Sequence, residues 1–127
     1  MTAERFEDLR IWQNARVQAN RVYDSFGSGT PSSRDFGFCD QVQRCAVSVM
    51  NNIAEGFERG TNKEFAQFLN IAKGSAGEVR STLYAALNEG YLSQAEFEAL
   101  REGALGASRR TSRLITYVRA ADRARKG

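Results

Sequence analysis

Apolar residues recur every three or four positions along nearly the whole chain and nowhere alternate with polar ones, so the sequence can bury its hydrophobic side only as helices. Breakers cut this pattern into four stretches. The lone proline, Pro31, lies in Gly27–Ser33 (GSGTPSS), the clearest connector in the sequence; holding nothing apolar, it is expected to be flexible. Gly60 and Gly90 stand where helix stops are needed. Each precedes a capping box, Thr61-Asn-Lys-Glu64 and Ser93-Gln-Ala-Glu96, in which a hydroxyl and a glutamate three residues later satisfy each other's backbone amides.

The first helix is predicted from Glu4 to Phe26, burying Phe6, Leu9, Trp12, Ala15, Ala19, Val22 and Phe26. The second begins near Arg34–Gly37, ends around Glu58–Gly60, and presents Phe38, Val42, Cys45, Ala46, Val49, Ile53 and Phe57 on one face. The third, Asn62 to Glu89, buries a stripe from Phe65 to Leu87. Its middle, Gly74-Ser-Ala-Gly77, is a run of small residues where each glycine costs about 1 kcal/mol relative to alanine. Either another backbone approaches there, or a long periodic helix tolerates two glycines. The fourth helix, opened by Ser93, runs to about Ala121 with expected kinks at Gly103 and Gly106, and residues 122–127 form a basic tail. Four amphipathic helices on short connections predict an all-α, antiparallel up-down four-helix bundle. At 127 residues this is a single domain, 1–127.

Composition removes several functions. No apolar run reaches the roughly 18 residues of a membrane span, and the mixed charges of Met1–Asp8 lack the apolar core of a secretory signal, so the expectation is a cytoplasmic protein with no membrane partner. Cys39 and Cys45, six apart, fall on different faces of one helix and are read as small core residues in a reducing compartment. Without a histidine, Ser-His-Asp and Cys-His catalysis are excluded, as is a bundle di-metal centre in its Glu-x-x-His form; no cofactor or metal is expected. Carboxylates that could run acid/base chemistry or hold a divalent ion are Glu55, Glu58, Glu64 and Glu78, but nothing in their spacing demands it, and no enzyme activity is expected.

Charge is the more informative signal. From Arg109 to Gly127 seven basic residues face the single acid Asp122, a net of +6, while the preceding chain sums to −3. Relative to Arg109 on a helical wheel, Arg113 lies at about +40°, Arg123 at −40° and Arg119 at −80°, opposite the core. Arg109, Arg110, Arg113, Arg119 and Arg123 are therefore candidate phosphate contacts, the planar arginine fork suiting that group. The bland alternative is a solvated helix face. On the second helix a polar strip of Gln41, Arg44, Ser48, Asn52, Glu55 and Arg59 flanks the apolar face. It is either a wet seam between subunits, with Ser48, Asn52, Glu55 and Arg59 as its residues, or simply an exposed side.

Four blocks occur in order: Phe6-Glu-Asp-Leu-Arg-Ile-Trp-Gln-Asn-Ala15; Asn52-Ile-Ala-Glu-Gly56 with Arg59; Glu64-Phe-x-x-Phe-Leu-x-Ile-Ala72 with Gly74-Ser75 and Glu78; and Gly90-Tyr-Leu92. Together they resemble the bacterial four-helix bundle proteins of the 23S rRNA intervening-sequence family, also labelled S23 ribosomal protein and related to the accessory variability determinants of diversity-generating retroelements. The resemblance covers about Phe6 to Val118. It implies a bundle assembling into a ring-like homopentamer and, in the retroelement branch, a basic barrel that binds nucleic acid and a reverse transcriptase. One departure is Met50-Asn51, where the family often has proline, leaving the kink such a proline imposes absent or reached differently. The expectation is a non-enzymatic homo-oligomer that binds RNA or DNA. The alternatives are a protein-interaction module or reverse-transcriptase accessory subunit, and more distantly a carboxylate-metal enzyme.

Overall fold

A computed structural model describes residues 3–126, with the side chain of Lys126 outside the described set; Met1, Thr2 and Gly127, the last of them part of the expected basic tail, also lie outside it. A short 3-10 turn, Phe6–Asp8, precedes α1 (Arg10–Ser25), α2 (Phe36–Glu58), α3 (Asn62–Asn88) and α4 (Gln94–Lys126), and no strand occurs among the described residues. Each helix packs on the next and α1 closes against α4, which gives the expected four-helix bundle.

The first helix starts later than expected, at Arg10 rather than Glu4. Leu9 is extended (φ −74°, ψ 123°), and the 3-10 turn before it is held by the Gln13 amide donating to the Glu7 carbonyl at 2.9 Å. The three-residue spacing of Phe6, Leu9 and Trp12 fits a 3-10 turn as well as an α-helix, and folding this way lets Phe6 pack edge-on to Trp12 at 5.2 Å. The connector 27–33 is a run of hydrogen-bonded turns. Gly27 and Gly29 take positive φ, Thr30 and Ser33 amides donate to Gly27 and Thr30 carbonyls, and buried Ser32 accepts from the Cys39 thiol.

Every α-helix from α2 onward begins on a side-chain cap. The Asp35 carboxylate accepts from the Phe38 amide and from the Tyr91 hydroxyl at 2.6 Å, tying the start of α2 to the α3–α4 turn. That bond, more than burial, pushes the Tyr91 phenol up to about 12. Ser93 and Glu96 complete their box in both directions, whereas at α3 the threonine hydroxyl caps the Glu64 amide and itself donates to the Glu64 carboxylate.

The core has two halves, one around Val22, Phe26, Val42, Leu83 and Phe97, the other around Leu9, Ile53, Phe65, Leu69 and Ile115. Between them lies a narrow waist of Ala15, Ala46, Ala76, Ala104 and Ala107. Here α4 runs unbroken through Gly103 and Gly106. Gly103 is a slot rather than a kink: buried Gln18 of α1 occupies the space a side chain would take there and donates to the Leu100 carbonyl at 2.9 Å. The close approach of two helices falls at Gly56, where an added Cβ would lie 2.5 Å from Phe68 Cβ. At Gly74 and Gly77 nothing lies within 4 Å of one, so within the chain no backbone approaches the small-residue run.

Candidate nucleic-acid interface

α4 continues through Lys126 instead of stopping near Ala121, so Arg119, Arg123 and Arg125 stand on helix. Arg109, Arg110, Arg113, Arg119, Arg123 and Arg125 are all exposed, and none forms an ion pair within the described residues. Basic residues in the last turns also complement the negative end of the helix dipole. Arg110 folds back over Gly106, whose missing side chain leaves room for the guanidinium. Arg109 and Arg113 face outward along the middle of the helix.

Antiparallel packing brings the end of α4 against the start of α3. Lys63, Asn62 and Gln67 of α3 line an open depression of about 310 Å³ with Arg119, Asp122 and Arg123. It adjoins a larger one of about 620 Å³, where Gly60, Thr61, Asn62, Lys63 and Glu64 face Asp122 and Arg125. On the other side of Arg125 a third depression, about 510 Å³, is lined by Phe57, Phe65, Tyr117 and Ala121. The three share Asn62 and form one band across the end of the bundle. Within the described residues Lys63 has no ion pair; Asp122 lines two of the depressions and is itself engaged. Lys63, Arg125 and Tyr117 were absent from the sequence-derived site. The signal that places them is the antiparallel register, which sets the Thr61 capping box beside the last turns of α4.

The polar strip of α2 forms most of its bonds inside the chain. Ser48 Oγ meets Ser75 Oγ of α3 at 2.9 Å, and the Asn52 amide donates to the Ser48 carbonyl at 2.8 Å and to its hydroxyl at 3.0 Å. Arg59 pairs with Glu55 at 3.2 Å and Glu64 at 3.7 Å while its guanidinium lies 4.9 Å from the Phe68 ring centre. Arg44 pairs with Asp40 and Gln41 is exposed. Beside the strip, on the α3 row that carries Phe68 and Ser75, Ile71 is 52% exposed and Gly74 is open.

The candidate carboxylates are dispersed. Glu55 and Glu64 share Arg59, Glu58 is exposed, and Glu78 accepts from the Cys45 thiol at 2.9 Å. Burial first, then that bond and the carboxylate's charge, push the Cys45 thiol up to about 12. Both cysteines are free and buried, and among the described residues no three Asp, Glu, Cys or His groups gather as metal ligands. No helix is long and apolar enough to cross a membrane.

Residues 7–113 match a family model described as 23S rRNA-intervening sequence protein. A solved structure from Bacteroides thetaiotaomicron VPI-5482, described as a protein with unknown function from the S23 ribosomal protein family, superposes with a TM-score of 0.77, covering 84% of this chain and 95% of that one. At 19% identity that likeness is one of fold. No curated protein matches the chain.

Proposed function

The chain belongs to the 23S rRNA-intervening sequence protein family, and from that premise we propose that it is a non-enzymatic, homo-oligomeric adaptor that binds RNA or DNA through the arginines of α4. The observation that carries the reading is the row Arg109, Arg110, Arg113, Arg119 and Arg123, exposed on one long helix and without an ion pair within the described residues. Guanidinium groups so displayed attract phosphates, and each phosphate neutralised adds a salt-dependent increment to affinity. In a symmetric assembly such as a pentamer the patch repeats, and multivalent contact raises affinity without new chemistry.

Filter binding at low and moderate salt tests it. Wild type binds and weakens steeply with salt; replacing the five arginines with glutamine removes most of that binding. Absence of binding at low salt, or a variant indistinguishable from wild type, ends the proposal.

Self-association draws on the α2–α3 flank, where exposed Ile71 and open Gly74 adjoin Ser48, Asn52, Glu55 and Arg59. Light scattering gives an oligomer mass for wild type and a lower one for Glu55→Ala if this flank is the seam. A monomeric wild type refutes assembly; an unchanged mass for Glu55→Ala moves the seam elsewhere.

A further inference from the structure

We infer that the nucleic acid taken up is single-stranded and that it lies across the end of the bundle, with phosphates on Lys63, Arg119, Arg123 and Arg125 and a base on the ring of Tyr117. This rests on the nucleic-acid reading above and deepens it by naming the site and the strand form.

Three observations converge on this end. First, the cations come from two helices and line a continuous concave band, whereas Arg109 and Arg113 stand on a convex helix face. A depression flanked by like charges concentrates field and can track a flexible backbone. Second, these four cations are exposed and have no ion pair within the described residues. The carboxylates nearby are otherwise occupied: Glu64 by Arg59 and Thr61, while Asp122 is itself engaged.

Third, the band runs past Arg125 into a depression walled by Phe57, Phe65 and Tyr117, and the Tyr117 side chain is 53% exposed. Cations followed by an open aromatic ring are what an unpaired strand uses, because every base has a stacking face that a duplex keeps covered. A duplex would need the contacts to follow two strands along a groove or ridge, and the end of this bundle offers one short band.

The probes are labelled oligouridylate, oligothymidylate of the same length, and duplex RNA of that length, each titrated by fluorescence anisotropy over a range of salt. Wild type is expected to bind the single strands more tightly than the duplex. The two single-stranded probes separate RNA from DNA as the source of the strand. Lys63→Gln with Arg125→Gln, two residues outside the α4 row of the preceding proposal, is expected to lower the log-log salt slope by about 1.4, since single strands contribute about 0.7 per phosphate. Tyr117→Ala is expected to weaken single-strand binding by about 5- to 100-fold, the span of one stacked base, with Tyr117→Phe restoring most of it.

Melting curves establish that the variants are folded. Should Tyr117→Ala prove unfolded, the salt slope of the Lys63/Arg125 variant and the strand preference of wild type decide. The inference is overturned if duplex binds as tightly as single strand. It also falls if the Lys63/Arg125 variant keeps the wild-type slope while Arg109→Gln, Arg110→Gln and Arg113→Gln together abolish binding. That last result leaves the nucleic-acid reading standing; failure of wild type to bind any probe at low salt removes both.

Discussion

Gly56→Ala is the substitution for which the structure gives the sharpest expectation. The new methyl would sit 2.5 Å from Phe68 Cβ, 3.2 Å from Phe65 Cδ1 and 3.4 Å from the Phe65 carbonyl oxygen. Carbon atoms prefer separations of about 3.5–4.0 Å, so α2 and α3 must part by roughly 1 Å at this level. Phe68 Cβ is fixed to the backbone of α3 and cannot rotate away, so the helix itself must move. Overpacking of this kind costs about 1–3 kcal/mol, while alanine recovers about 1 kcal/mol of helix propensity. The expected net is a loss of up to about 2 kcal/mol, or several degrees in melting temperature for a chain of this length.

Gly74→Ala supplies the opposite sign. Nothing lies within 4 Å of its added methyl, so the propensity gain of about 1 kcal/mol stands alone. Thermal and urea unfolding followed by far-UV circular dichroism compare both with wild type. A Gly56→Ala protein as stable as wild type would falsify the packing argument. A Gly74→Ala protein that loses both stability and oligomer mass would instead locate a second copy on that face.

Three further outcomes follow from the same coordinates. Gly103→Ala evicts the Gln18 amide from its slot and breaks its bond to the Leu100 carbonyl, with an expected loss of about 1–3 kcal/mol; adding Gln18→Ala restores part of it, and additive effects in the double-mutant cycle count against the slot. Cys45 has its thiol raised from 9.0 to about 12, so its contribution is whole below pH 9 and is lost as pH climbs toward 12. Melting temperature should fall across that window and fall less in Cys45→Ala; an identical slope in the variant refutes the assignment. Both thiols should resist maleimide in the native protein near pH 8 and react once urea unfolds it, because each is buried; rapid native labelling contradicts the burial.

The helices were legible because each signal was local: apolar spacing, glycine stops, and the Ser93 and Thr61 caps all lie within one turn of what they specify. The start of α1 was not, since a spacing of three is shared by the α-helix and the 3-10 turn. Glycine roles were the hardest to assign. Gly74 and Gly77 looked like the contact and are open, Gly56 looked incidental and is the contact, and Gly103 looked like a kink and hosts Gln18. Each role depends on what a different helix places opposite, which no window along one helix contains. The same applies to the site: the α4 arginines could be read from charge, but Lys63 and Tyr117 join them only through the register of α3 against α4.

That division bears on what family membership can say. The blocks that carry the resemblance fall largely on the α2–α3 corner, where Ile53 fills the core, Gly56 admits Phe68, and Arg59 bridges Glu55 and Glu64 while covering the Phe68 ring. Every one of these residues has a structural task, so the motif specifies how two helices meet and carries no chemistry of its own. The exposed cations at the end of the bundle are under no such packing constraint: replacing Lys63 or Arg125 removes charge without opening a cavity. Two chains can therefore share the corner, and hence the fold, while differing in what the bundle end recognises. Function in this fold is to be read from the sign and shape of the surface where α3 begins and α4 ends, with the corner supplying the register that brings those two ends together.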